Sequence, residues 1–155
     1  MKAFLKSFVY AFNGIFSAIR TQRNLRFHIV AVIYVTAFSF FYNMSEIQYL
    51  ILILIFLIVI SLELVNTALE SIVDLCSPEY NKLAKISKDC AASAVLVAAA
   101  GAVIAGIILF ADFEVFKIIL NYYRDNFWAL IGLIVFTVLS IVFVFYPSDT
   151  RKGKD

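Results

Sequence analysis

The stretch Ile51-Leu-Ile-Leu-Ile-Phe-Leu-Ile-Val-Ile-Ser-Leu-Glu63-Leu-Val-Asn66-Thr67-Ala-Leu-Glu70-Ser-Ile-Val-Asp74 decides how this chain is read. The apolar run from Tyr49 to Leu62 has the character of a membrane helix. It passes without a helix breaker into a segment bearing Glu63, Asn66, Glu70 and Asp74. On a helix these positions are spaced i, i+3, i+7 and i+11, so they share one face. Ionisable groups at the edge of a hydrocarbon core are costly and mark functional sites. A stripe of this kind can hold a metal-bound phosphate and an activated hydroxyl at a membrane surface.

Composition agrees. The chain has 155 residues, 63% apolar and only 15% charged, which excludes a water-soluble domain and places it among integral membrane proteins. Aromatic residues reach 16%, with 16 Phe against one Trp, more than a soluble core of this size would use. The formal charge of +2 says little, and no nucleic-acid partner is expected. The N-terminal segment lacks the short apolar core and small-residue cleavage site of a signal peptide. Cys76 and Cys90 read as free thiols, because two thiols alone do not make a zinc site. There is no P-loop, no Gly-x-Gly-x-x-Gly, no repeat and no low-complexity segment, so any nucleotide is held by other means.

The expected architecture is all-α. Residues Ala3–Arg20 form an amphipathic surface helix, with Phe4, Phe8, Phe12, Ile15, Phe16 and Ile19 on one face. Four spans follow: Phe27–Tyr42, Ile47–Leu62, Ala91–Phe110 and Phe127–Tyr146. Asn43-Met-Ser-Glu46 is a tight polar turn. Ser77-Pro78-Glu79-Tyr80-Asn81 breaks the helix, because proline removes a donor and clashes with the preceding turn. The third span is rich in Ala and Gly, which lets helix backbones approach closely in lipid. Ala111–Asn126 reads as a polar connection. Lys2, Lys6, Arg20, Arg23, Arg26, Lys82, Lys85, Lys88, Arg151, Lys152 and Lys154 fall on one side of this arrangement; only Lys117 and Arg124 fall on the other. The positive-inside rule then puts both termini, the middle loop and the acidic stripe at the cytoplasmic face, where nucleotide is available. Arg20, Arg23 and Arg26 read first as topogenic and only second as phosphate-binding.

Lys85-Ile-Ser-Lys88-Asp89 opens the third span and would return beside Glu70 and Asp74 if spans two and three form a hairpin. Acid, base and cation at an interface suit phosphoryl transfer. Carboxylates hold a divalent cation on the phosphates, lysine neutralises the transferring group, and a further carboxylate accepts the hydroxyl proton. The bland alternatives are a polar network that joins helices, and lysines that serve only as cytoplasmic anchors. A small transporter or ion pathway also uses intramembrane carboxylates, although here the charges gather at one face and the other spans lack acids. A catalytically inactive scaffold is a third reading.

Glu63-Leu-Val-Asn66-Thr67-Ala-Leu-Glu70-x-x-Val73-Asp74, with Leu83-Ala84-Lys85-x-x-Lys88-Asp89-x-Ala91-Ala92-x-Ala94-Val95, resembles the signature of the prokaryotic diacylglycerol kinase family. Phe4-Leu-Lys6-Ser7-Phe8-Val9-x-Ala11-x-x-Gly14-Ile15 and Arg20-Thr21-x-Arg23-Asn24-x-x-Phe27-His28 are similar to its undecaprenol kinase branch. The resemblance covers roughly residues 4–110, which makes 1–110 a lipid kinase membrane domain and 111–155 an added connection, span and tail. It implies a homotrimer with active sites between subunits, and a reaction in which ATP, with Mg2+, phosphorylates a membrane lipid alcohol. Glu63 would be the base and Glu70 a metal ligand. Tyr10, Asn66, Asp74, Lys88 and Asp89 would line the nucleotide pocket. Where many members carry a second metal-binding Glu, this chain has Gln22, which offers a carbonyl oxygen without charge. The N-terminal likeness favours undecaprenol over diacylglycerol as substrate.

Overall fold

A computed structural model describes residues 2–147. Among these described residues six helices follow one another: α1 Lys2–Thr21, α2 Arg23–Ser39, α3 Glu46–Cys76, α4 Lys82–Phe110, α5 Phe113–Asp125 and α6 Phe127–Phe145. No strand occurs among the described residues. The breaks fall where local chemistry demands them. Ser45 caps α3 in a reciprocal capping box with Gln48. After Cys76 the chain leaves the helix over the Pro78 segment, and Asn81 restarts it by accepting from the Leu83 and Ala84 N–H groups at 2.8 and 3.2 Å.

The connection after Phe110 is not irregular. Residues Phe113–Asp125 form α5, capped by Asp112, whose Oδ1 accepts from Glu114 N–H and Val115 N–H. Its polar residues hid its rhythm: Ile119 is buried while Glu114, Lys117, Arg124 and Asp125 face out. Arg124 Nε donates to Asp125 Oδ1 at 2.8 Å, and this bond holds the Asp125 carboxyl below its usual range.

α3 and α4 form the principal hairpin. α2 packs between α3 on one side and α6 on the other, with α1 laid across the ends of α2 and α3. Three helices, α3, α4 and α6, are long and apolar enough to cross a membrane; α2, at 17 residues, falls just short by length. Nevertheless α2 runs antiparallel to α6 from Arg23 to Tyr34. Tyr34 Oη and Thr137 Oγ1 share a hydrogen bond of 2.7 Å at mid-helix, and Arg23 lies 5.9 Å from the Phe145 ring at one end. At the other end Tyr42 donates to the Phe110 carbonyl of α4, and Phe41 meets Tyr122 of α5. At 1.5 Å per residue α2 covers about 26 Å, close to the hydrocarbon thickness of about 30 Å. α3 and α4, at about 45 Å, exceed it, so one end of their hairpin extends past an apolar slab. Ile53, Leu57, Ile58, Leu96, Ile107 and Ile108 are exposed, a surface only lipid or neighbouring apolar helices can cover.

Candidate active site

The apolar half of α3 needs no partner to be helical in lipid, where every backbone group must be satisfied within the segment. The helix therefore carries its polar stripe outward in register. Glu63 is 2% exposed and Asn66 8%, while Glu70 is half-buried and Asp74 exposed. The stripe thus grades from protein interior to open surface over about three turns. Glu63 and Glu70 stand two turns apart, close enough for their charges to interact. Thr67 Oγ1 returns a hydrogen bond to the Glu63 carbonyl at 2.9 Å.

Asn66 links the stripe internally. Its Nδ2 donates to Glu70 Oε1 at 3.2 Å, whereas its Oδ1 is buried without a donor. An orphaned carbonyl-type oxygen beside a carboxylate is the kind of donor pair a hard divalent cation takes. Among the described residues no group of three or more His, Cys, Asp or Glu could hold a metal ion. The residues fit magnesium in its usual manner of binding, in which one or two carboxylates are completed by phosphate oxygens and waters.

The hairpin brings the second cluster to the first. Lys88 Nζ donates to Asp74 Oδ1 at 2.9 Å, the link between α4 and α3 at the polar end. Both side chains keep substantial exposure, so the ammonium retains donors for a phosphate. Asp89 is exposed on the next position of α4, about 100° around the helix. Lys82 and Lys85 are exposed on the same first turns of α4.

Gln22 lies at the joint of α1 and α2, as the residue before the first turn of α2. It lines a groove of about 630 Å³ between α1 and α3, whose far wall is Leu64, Thr67, Ala68 and Ser71. Thr67 lies between Glu63 and Glu70 on the helix surface, so this groove borders the acidic stripe from α1's side. Thr67 and Ser71 were absent from the sequence-based site; their i, i+4 spacing alongside the stripe was the available signal. Tyr10 is 70% exposed on α1. The isolated chain therefore gathers Glu63, Asn66, Glu70, Asp74 and Lys88, sets Gln22 at their margin, and leaves Tyr10 and Asp89 facing outward.

On the membrane side of the stripe lies an apolar cavity of about 270 Å³ between α2, α3 and α4. Leu52, Phe56 and Val59 form its α3 wall, opposed by Ala99, Ala102 and Gly106 of α4 and by Ala31 and Val35 of α2. Val59 is one turn before Glu63 on the same face. The cavity can take a hydrocarbon chain whose polar end points along α3 to the carboxylate.

Comparison with known proteins adds an independent line. A family model described as prokaryotic diacylglycerol kinase matches residues 9–110. The chain is 42% identical over 110 residues to undecaprenol kinase of Bacillus subtilis, covering 71% of this chain and 89% of that protein. It is 48% identical over 103 residues to diacylglycerol kinase of Synechocystis sp., covering 66% of this chain and 59% of that protein. It is 30% identical over 105 residues to diacylglycerol kinase of Escherichia coli, covering 68% of this chain and 86% of that protein. No solved structure matches. α5 and α6 lie outside the residues that the family model matches.

Proposed function

Because this chain belongs to the prokaryotic diacylglycerol kinase family, whose named members are lipid kinases, we propose that it transfers the γ-phosphoryl group of ATP to the hydroxyl of a membrane lipid alcohol. The observation that carries this reading is Glu63: a carboxylate 2% exposed, one turn from an apolar cavity, on the face that leads to Glu70, Asp74 and Lys88.

In this mechanism the lipid tail occupies the cavity beside Val59, with its hydroxyl at Glu63. Glu63 accepts the hydroxyl proton as the lipid oxygen forms its bond to the γ-phosphorus and the bond to the β-phosphate oxygen breaks, releasing ADP. Lys88 offsets charge on the phosphates, held in place by Asp74. Asn66 fixes the Glu70 carboxylate through its Nδ2 and offers Oδ1. Asp89 and Tyr10 complete the nucleotide pocket, and Tyr10 reaches it from a neighbouring copy of the chain. Glu70, with support from Gln22, would hold magnesium, which would supply positive charge to offset that of the triphosphate.

The active protein is a homotrimer in the bacterial cell membrane, with both termini cytoplasmic and four spans per chain. Support for α2 as a span comes from its matched antiparallel run against α6. Support for the orientation comes from the lysines and arginines at the stripe's end of the hairpin. Residues 1–110 form the kinase unit. Undecaprenol is the preferred substrate, with diacylglycerol the alternative; both present a primary hydroxyl at the interface. Purified protein in lipid with Mg-ATP should phosphorylate undecaprenol faster than diacylglycerol in direct competition. The reverse order would transfer the assignment to diacylglycerol, and no lipid product from either would refute the kinase reading. Under a transport reading, cation flux in liposomes would occur without ATP turnover.

A further inference from the structure

The acidic stripe leaves one buried charge unexplained. Arg26, on the first turn of α2, is 4% exposed, and its Nε is enclosed with no acceptor among the described residues. A guanidinium stays charged at any physiological pH, and an uncompensated buried charge is strongly destabilising. Beside it lies a cavity of about 390 Å³, lined by Ile19 and Arg20 of α1, by Arg26, and by Phe143, Tyr146 and Pro147 at the end of α6. Among the described residues, two arginines and no carboxylate line this space. It lies across α2 from the apolar cavity that leads to Glu63, and the catalytic reading makes no use of it.

We propose that Arg20 and Arg26 form a second anion site, which binds a phosphate group at the membrane surface. Guanidinium donors match phosphate oxygens in a planar fork. Phe143 and Tyr146 supply the amphipathic wall found where hydrocarbon gives way to headgroups. Half of the lining comes from the end of α6 and the residues after it, beyond the stretch that the family model matches. The arginines lie within the family region, and the end of the C-terminal helix supplies the wall that makes a pocket of them. The site does not depend on the catalytic proposal, and its test reads binding rather than turnover.

The full-length protein, delipidated in detergent, is titrated with phosphatidylglycerol, a phosphate-free glycosyl diacylglycerol or inorganic phosphate. Retained lipid is counted by native mass spectrometry and the melting temperature is followed. Phosphatidylglycerol should bind about tenfold more tightly than the phosphate-free glycolipid, and Arg26→Met and Arg20→Gln should each remove about that factor, the effect of one lost charge-assisted hydrogen bond. Arg26→Lys should fall between, since it keeps the charge and loses the fork. If inorganic phosphate alone also stabilises the protein and displaces the lipid, the site takes phosphate from either source. If only the lipid binds, the headgroup phosphate is the ligand. Equal affinity for the two lipids, or wild-type affinity in Arg20→Gln, would overturn the proposal. Arg20 is exposed, so that variant carries the test even if Arg26→Met fails to fold.

Discussion

Asn66 donates through Nδ2 to Glu70 Oε1 at 3.2 Å while its own buried Oδ1 accepts no hydrogen bond among the described residues. One amide thus fixes the rotamer of a half-buried carboxylate and presents a free acceptor beside it. Asn66→Leu should lose both effects and raise the Mg2+ concentration for half-maximal activity by about tenfold, with melting temperature little changed, because a buried unmet acceptor is removed along with the bond. A magnesium titration of lipid phosphorylation reads this directly, and an unshifted curve would exclude Asn66 from the metal site.

Glu63→Gln keeps size and hydrogen-bonding capacity but cannot take a proton. Lipid phosphorylation should fall by at least about 100-fold. ATP-induced thermal stabilisation should persist, which separates loss of the base from loss of the pocket. Substantial residual turnover would move the base elsewhere.

Gln22→Glu restores an acidic group at the margin of the stripe. The expected outcome is a lower Mg2+ requirement, by about tenfold, with kcat at saturating metal nearly unchanged. Measuring both at matched ATP distinguishes a metal ligand from a residue that only lines the α1–α3 groove.

Ala102→Phe places a ring in the apolar cavity between α2, α3 and α4. The KM for the lipid should rise several-fold while the KM for ATP stays constant. A parallel rise in both would mean that the helices had shifted rather than that a tail site had been filled.

Tyr34 and Thr137 join α2 to α6 across 103 positions of sequence. A double-mutant cycle with Tyr34→Phe and Thr137→Val should give a coupling of about 0.6 kcal/mol, the usual worth of an interhelical hydrogen bond in a membrane. Zero coupling would indicate that the two helices separate in the bilayer.

Much of the site is one-dimensional and was legible for that reason. Glu63, Asn66, Glu70 and Asp74 sit on one helix, whose 3.6-residue period fixes their common face before any packing occurs. The Pro78 segment set the hairpin turn, so the approach of Lys88 to Asp74 followed from two straight helices and a short loop. α5 was missed because its polar residues were weighed as a connection; its apolar positions Phe116, Ile119, Leu120 and Tyr123 mark a face only once Asp112 is recognised as its cap. The Thr67 and Ser71 groove was missed because it needs α1 to lie against α3.

The sequence by itself determined the class, the apolar helices, the acidic stripe and the family, because each depends on composition, local period or a contiguous motif. Tertiary structure alone decided where the added C-terminal helix goes. Its apolar surface suits any neighbour, and the hydrogen bond at Tyr34, the ring contact of Tyr34 with Phe136 and the contact at Arg23 reveal that it lies along α2. The same packing decided the state of Arg26. As one letter it is another basic residue before a span. Beside α1 and α6 it becomes a buried charge whose Nε meets no acceptor among the described residues, because burial is a property of the neighbours and not of the residue.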